Sequence, residues 1–586
     1  MSNQLTQIQM ETIEPANSRN AKPIQLGQPL STSLACLLLL VTIELSIVVW
    51  TMYDKSIPCW DTAVHKLNSF YVYDLLQHPH LRHLDWYRNI FAVSQLYPPL
   101  FYIVSASFKF IFGQLANTEL ISNMAFASLL FGSLYFIARA TFQNELAGMI
   151  AAVLVFFYPA VFWSAHSALL DFASIAMVGL GLAYFLWWSE NPQPRRSLLL
   201  GLVFGLTTLT KNNTPIFFVG PILLDIIFAL KSHNGKHNYA RIKQLCIVGM
   251  ISIIIILPWL ILAGPAVLKF IASIQQQDFQ VINSIPQSLA IIPIRCEFNW
   301  LAEFFTHLWR FALEDLPLIL SPILCVCFLA ALISIRPLHK NKIYLFASII
   351  FALLLASAFR WPHQFRYIIP VAVPISILTA GLFAKLWFTR ASLPRLILFA
   401  LGATAFLQIT YEAFSPYPLC LPTWTKAIMQ FTCEEFKTKS IVAQMPGVSI
   451  SPLPKSDWGI LSSLLSIESA SMGNPTTLMI MPNANPINCS PFYYLTKIRK
   501  DNIEVASPRE HTELGDKVRF NYAIAMWYKW YILKTGDQGL PFCDTKSAAA
   551  YDKWLRFVHS SGLYKLVNQK LLSDGSTLQL YKLVDS

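Results

Sequence analysis

The sequence predicts an all-α polytopic membrane protein of about 11 transmembrane helices, followed by a small external α/β domain. Three observations predict it. Hydrophobic residues make up 55% of the 586 and charged residues only 13%, about half the charged share of a soluble globular chain. Apolar runs of roughly 17–25 residues, each long enough to cross a bilayer, recur from Leu34 to about Tyr411. Beyond Leu421 the runs stop, and Asp, Glu, Lys and Asn return.

Residues 1–33 read as a cytoplasmic tail, 34–413 as the membrane domain and 414–586 as the external domain. Span one covers Leu34–Tyr53 with no small-residue cleavage site after it, so it is a retained span and not a signal peptide. An external loop, 54–118, follows. It contains "LFYIVSASFKFIFG" from Leu100, too short for a span and carrying Lys109, which suits a helix lying at the interface. Spans two to six are Glu119–Ala138, Ala147–Trp163, Leu170–Trp188, Ser197–Lys211 and Pro215–Leu230. Spans seven to ten are Leu245–Ala263, Leu316–Ile335, Ile343–Ala358 and Ile368–Leu386, and span eleven ends near Tyr411.

The basic loops set the orientation. With the N-terminus inside, the short loops carrying Arg139, Arg195 and Arg196, Lys231–Lys243, Arg336–Lys342, and Arg390 and Arg395 all fall on the cytoplasmic side. The net charge of +12 is accounted for by these orienting loops, and nucleic acid is not an expected partner. Asp61, Asp171, Lys211, the "FRWPHQFR" loop and the whole tail then share the external face.

In the tail, "TTLMIMP" from Thr476 and "YAIAMWYKWYIL" from Tyr522 read as strands. "SAAAYDKWLRFVHSSG" reads as a helix ended by Gly562, and "GSTLQLYKLV" as a closing strand. Six of the ten cysteines (Cys59, Cys296, Cys420, Cys433, Cys489 and Cys543) are external, where an oxidising compartment permits pairing of undetermined connectivity. Their spacing matches no metal knuckle, and no metal or cofactor is expected.

The polar residues of the external face form the candidate site. Asp61 and His65 share a helical face, the alternative being a solvated loop acid with a local hydrogen bond. Asp171 opens span four, where the helix dipole alone favours a carboxylate. Lys211 lies between two apolar runs, where a cation is costly and is a functional candidate by default; snorkelling to the head groups is the alternative. Arg360, His363, Arg366 and Tyr367 crowd one loop, and paired guanidinium groups suit a phosphate, whether of a substrate or of a lipid head group. Two acids alone suggest a glycosidase. Acids beside phosphate-binding cations at a membrane suggest transfer from a lipid phosphate.

These residues carry a resemblance. "WDTAVH", "QLYPPLFYI", "HSALLDFASIAMVGLGLAYFL", "GLVFGLTTLTKNNTPIFF" and "FRYIIPVAVP" stand in the order of motifs of the GT-C superfamily of polyprenyl-phosphate-sugar glycosyltransferases. The chain resembles most its protein O-mannosyltransferase and lipid A aminoarabinose transferase branches, over about Leu34–Gly381. The resemblance implies a GT-C-type fold in the plasma (inner) membrane. It implies a polyprenyl-phosphate sugar donor and a glycan, lipid or protein acceptor. It also implies Asp61 as general base, Asp171 as a tuning or acceptor-holding acid, and Lys211 and Arg366 on the lipid phosphate. Thr62 stands where the family has Glu, and "YPPL" has Tyr97 and Pro98 where the aminoarabinose branch has a lysine beside the proline. The competing readings are a transporter or flippase, expected to show inverted repeats and midplane charges, and a lipid-binding scaffold without catalysis.

Overall fold

The computed structural model describes residues 30–53, 58, 60–94, 96–113, 118–231, 235–282, 304–305, 308–309, 311, 315–320, 322–334, 339–358, 365–388, 392, 395–396, 400, 402–404, 407, 459–482, 487, 489–508, 520–535, 545–572 and 575–584. Arg360 and His363 lie outside these residues, as do most of span eleven and every external cysteine except Cys489.

The membrane domain begins with α1 (Leu30–Tyr53). The loop after α1 folds as three helices, α2 (Trp60–Gln77), α3 (Leu84–Phe91) and α4 (Leu100–Phe112). Asp61 therefore sits on a helix and not in an open loop. Lys109, the cation inside the apolar α4, is buried and paired at 2.6 Å with Glu119, which opens α5 (Thr118–Phe142).

Span three is broken. α6 (Glu145–Leu154) runs into a short turn, and α7 (Pro159–Ala165) leaves at an angle of 77°. The cause is Pro159: the residue before a proline avoids the helical region, and Tyr158 is extended at φ −80° and ψ 123°.

α8 (Leu170–Glu190), α9 (Pro194–Thr210), α10 (Ile216–Lys231) and α11 (Gly235–Ile282) complete the first half. Gly201 and Gly205 let α9 lie directly on α11, since a Cβ at either would meet Ile251 or Ile255 at 2.8 Å. α12 (Leu316–Leu320), α13 (Pro322–Ser334), α14 (Lys340–Ala358) and α15 (Ala372–Trp387) form the second half. Six described helices are long and apolar enough to cross a membrane, or seven with the bent pair as one. The chain is a multi-pass membrane protein. α9 and α10, at 17 and 16 residues, lie at the short edge of the range for a span, whose typical length is about 20.

The C-terminal domain is a three-layer α/β unit. Its five strands are β1 (Thr476–Ile480), β2 (Ile503–Ala506), β3 (Trp530–Lys534), β4 (Tyr564–Leu571) and β5 (Thr577–Leu583), in the order β2-β1-β3-β5-β4. β1 is parallel to both its neighbours, with Leu478 opposite Val505 and Trp530, while β5 is antiparallel to β3 and β4. α16 (Ile460–Ser471) and α17 (Cys489–Arg499) cover one face through Leu464, Ile467 and Phe492. α18 (Tyr522–Trp527) and α19 (Thr545–Ser560) cover the other through Ala525, Tyr551 and Trp554. The strand expected from Tyr522 is thus a short helix followed by β3. Asn521 caps that helix, accepting from the amides of Ala523 and Ile524. Gly562 ends α19 in the left-handed region at φ +73°. The domain rests on α2: Lys66 faces the Tyr494 ring at 5.7 Å and Lys497 the Tyr71 ring at 4.9 Å.

Candidate active site

Three chain segments converge at the start of α2. The first is the start of α2, which puts Asp61 in its first turn, where the helix dipole favours a carboxylate. Its orientation is fixed by α4: His65 Nδ1 and the Tyr102 hydroxyl are 2.9 Å apart, and Tyr97 packs against the imidazole at 5.1 Å. His65 therefore bonds across to Tyr102 and not locally, as its spacing from Asp61 had allowed.

The second is the junction of α8 and α9. The extended Leu169 starts α8 so that Asp171 falls in the first turn, fully buried. α9 stops at Thr210, and Lys211 turns out of the helix with φ −154° and ψ 130°. The Thr214 hydroxyl, shared between the carbonyls of Thr207 and Lys211 at 2.9 Å each, adds to the backbone bonds these already accept from Lys211 N and Thr214 N and so fixes the turn. The third is the short turn Phe365–Tyr367 before α15. Asn213 Nδ2 staples it to the α9 end by donating to the Tyr367 carbonyl at 3.0 Å.

Four charges meet there in alternation. Arg366 donates to Asp61 Oδ2 at 2.7 Å, and its other nitrogen lies 3.4 Å from Asp171 Oδ2. Asp171 Oδ1 accepts from Lys211 Nζ at 2.7 Å. Lys211 also approaches the Arg366 carbonyl at 3.5 Å and the Tyr367 ring at 5.2 Å. The charges cancel, but their exposure is graded. The Lys211 and Asp171 side chains are 2% and 0% exposed, Arg366 15% and Asp61 40%. Asp61 is therefore the acid that an incoming hydroxyl can reach.

The cluster is not closed. Asp171 Oδ2, Arg366 Nε, His65 Nε2, Asn213 Oδ1 and Thr62 Oγ1 are buried with no hydrogen-bond partner among the described residues. Buried polar atoms are normally paired, and five orphans around one cluster mark a place that a polar ligand can complete. Electrostatics divides the roles. Burial pushes the Asp61 carboxyl up, but Arg366 beside it more than offsets this and holds it below the usual carboxylate range. Burial, aided by the Arg366 charge, brings His65 down to about 4, so the imidazole is neutral at neutral pH. The site thus offers an ionised base at its mouth, with two cations behind it.

Of the residues expected from sequence, Asp61, His65, Asp171, Lys211, Arg366 and Tyr367 are brought together. Tyr102 and Asn213 were missed. Asn213 lies in the same "KNNTP" stretch that drew attention to Lys211. Tyr102 looks like one more aromatic in an apolar helix and carries no local signal. Among the described residues no three His, Cys, Asp or Glu side chains converge as a metal site requires.

The geometry can be set beside known proteins. Residues 97–262 match the family model described as dolichyl-phosphate-mannose-protein mannosyltransferase. No curated protein sequence matches the chain. Two crystal structures of ArnT from Cupriavidus metallidurans share the fold over nearly the whole length. The one bound to undecaprenyl phosphate aligns with a TM-score of 0.51 and 12% identity, covering 93% of this chain and 97% of that one. The apo structure aligns at 0.54 and 11%, covering 94% and 98%.

Proposed function

We propose that this protein is a membrane glycosyltransferase that moves a sugar from a polyprenyl-phosphate donor to an acceptor hydroxyl at the external face of the plasma membrane. The observation that carries the reading is the Asp61–Arg366–Asp171–Lys211 cluster, unsatisfied and graded from a buried cation to an exposed base. The match over 97–262 and the fold shared with a structure holding undecaprenyl phosphate support the donor class. The N-terminus is cytoplasmic, and the site and the α/β domain are external.

In the resting protein the two carboxylates occupy the two cations. A donor phosphate brings a permanent anion and takes their place, first on the more exposed Arg366. Asp61 is thereby released from its ion pair and becomes a stronger base. It takes the proton of the acceptor hydroxyl as that oxygen attacks the anomeric carbon. The bond from that carbon to the phosphate oxygen breaks, and the electron pair leaves with the phosphate. Arg366 and Lys211 stabilise the charge that builds there, which helps the transition state more than the bound substrate. Asp171 holds Lys211 in position and tempers the positive field.

The test is release of undecaprenyl phosphate from purified protein given undecaprenyl-phosphate mannose or undecaprenyl-phosphate aminoarabinose, with envelope extract as acceptor source. Mass spectrometry of envelope glycans with and without the protein identifies the product. Release dependent on the acceptor and on Asp61 supports the reading. Movement of the intact donor across the bilayer without release supports a flippase.

A further inference from the structure

One side of α2 carries polar atoms to which the transfer step assigns no role. His65 follows Asp61 by four residues and Thr62 by three, so the three side chains lie on one side of the helix. Thr62 Oγ1 and His65 Nε2 are both buried without a hydrogen-bond partner among the described residues. His65 is fully buried, and its ring feels all four charges of the cluster, Asp61, Arg366, Asp171 and Lys211.

The imidazole is locked in place. Tyr97, Phe101 and Tyr102 surround it, with ring centres at 5.1, 6.5 and 5.8 Å. Its Nδ1 is bound to the Tyr102 hydroxyl at 2.9 Å, and that hydroxyl also meets the side chains of Asn68 and Ser94. Ser94 Oγ in turn accepts from the amides of Leu96 and Tyr97 at 3.4 and 3.1 Å. One ring nitrogen is therefore held by the contact of α2 with α4, and the other is left over beside the base.

The chemistry of the missing partner follows from the tautomers. A neutral imidazole has one donor nitrogen and one acceptor. A phosphate oxygen completes Nε2 only when that nitrogen holds the proton, and an ammonium group only when it does not. A hydroxyl both donates and accepts, so it completes Nε2 in either tautomer and Thr62 Oγ1 in either sense. With the donor phosphate on Arg366 and Lys211, the hydroxyl-rich group beside the cluster is the sugar attached to that phosphate.

We infer that Thr62 and His65 form a subsite for a hydroxyl of the donor's sugar, one helical turn along α2 from the base. The subsite presupposes the transfer reaction proposed above. It opens as the donor phosphate draws Arg366 off Asp61, the exposed member of the same face. Asp61 then faces the reacting hydroxyl of the acceptor, while His65 and Thr62 read the sugar being moved.

The experiment uses the full-length protein and two variants that each keep one nitrogen position of the ring. His65→Asn keeps a polar atom at the Nδ1 position for Tyr102 but leaves nothing at Nε2, and His65→Gln reaches the Nε2 position. Kd is measured without acceptor for undecaprenyl phosphate and for whichever of undecaprenyl-phosphate mannose and undecaprenyl-phosphate aminoarabinose the wild type turns over. His65→Asn should bind the sugar-bearing donor about 3- to 10-fold more weakly, the worth of one hydrogen bond, with its Kd for undecaprenyl phosphate unchanged. His65→Gln should lie closer to the wild type, and Thr62→Val, which keeps the shape without the hydroxyl, should shift in the direction of His65→Asn. Equal loss for both lipids puts Nε2 on the phosphate or in a structural role, and an unchanged ratio means that another group, such as a resident water, completes it. Either result overturns the subsite while release of undecaprenyl phosphate by the wild type still upholds the transfer reaction. Release from neither donor overturns the reaction and the subsite together.

Discussion

Two buried charge clusters sit at opposite ends of the bundle, and they differ in how completely they are paired. At the end where α14 starts, Asp225 is fully buried and accepts from both Nε and one terminal nitrogen of Arg241, at 2.7 and 2.5 Å. Tyr344 donates to the same carboxylate, and Lys340 lies at 3.6 Å. Arg241 also donates to the Ser189 carbonyl at 2.8 Å and faces the Trp188 ring. Neither Asp225 nor Arg241 has a buried polar atom without a partner. The outer cluster has the same kinds of residue, but single-armed contacts and five orphaned atoms. A buried carboxylate held by arginine is therefore not evidence of a site. An incompletely satisfied one, open at its edge, is. The inner cluster braces α8, α10, α11 and α14; the outer one leaves polar atoms unpaired at its edge.

The comparison can be broken most sharply at its two acids. Asp61→Asn keeps the shape but loses the base, and turnover should fall by about 10²–10⁴-fold with the unfolding midpoint unchanged. Next come the cations. Arg366→Ala should cost about 10²–10³-fold in turnover, as loss of a transition-state donor does, and Arg366→Lys less, since it keeps the charge but not the fork. Lys211→Ala should lower turnover more than it raises the apparent Michaelis constant in steady-state transfer. In the inner cluster, Asp225→Asn leaves Arg241 buried without its counter-ion. It should cost about 3–5 kcal/mol of stability, read in denaturant melts, while turnover per folded molecule holds.

The smallest effect is on pH dependence. In the free protein Arg366 depresses the Asp61 carboxyl, so Asp61 stays ionised until the pH falls below the usual carboxylate range. The acid limb of kcat/KM, which reports the free enzyme, should lie that low. Donor phosphate on Arg366 removes this depression and adds a negative charge, so Asp61 takes up a proton more readily. The acid limb of kcat should therefore lie at higher pH than that of kcat/KM. Coincident limbs would show that the Asp61–Arg366 pair persists in the complex.

Much of this was legible in the sequence because membrane constraints are severe. Charges such as Lys211 stand out against apolar runs, and basic loops order the spans. The tail yielded β1, α19 and β5 from local pattern. What the sequence withheld depends on non-local geometry. Nothing in "AAVLVFFYPAVFW" shows that the chain turns by 77° instead of crossing straight, although Pro159 marks where. Tyr522–Trp527 has strand-like residues but an asparagine cap and helical packing under Trp554. Asp225 drew no notice as a buried acid, because its partners Arg241 and Tyr344 are 16 and 119 residues away. The pairing of Asp61 with Arg366, 305 residues apart, was likewise invisible until the chain was folded.

The central claim is that the outer cluster is chemical and the inner one structural. The measurement that tests it most directly is single-turnover release of undecaprenyl phosphate by Asp61→Asn and Asp225→Asn in one assay, normalised to folded protein. The account predicts release nearly abolished in the first and close to wild type in the second. Wild-type release from Asp61→Asn would contradict it.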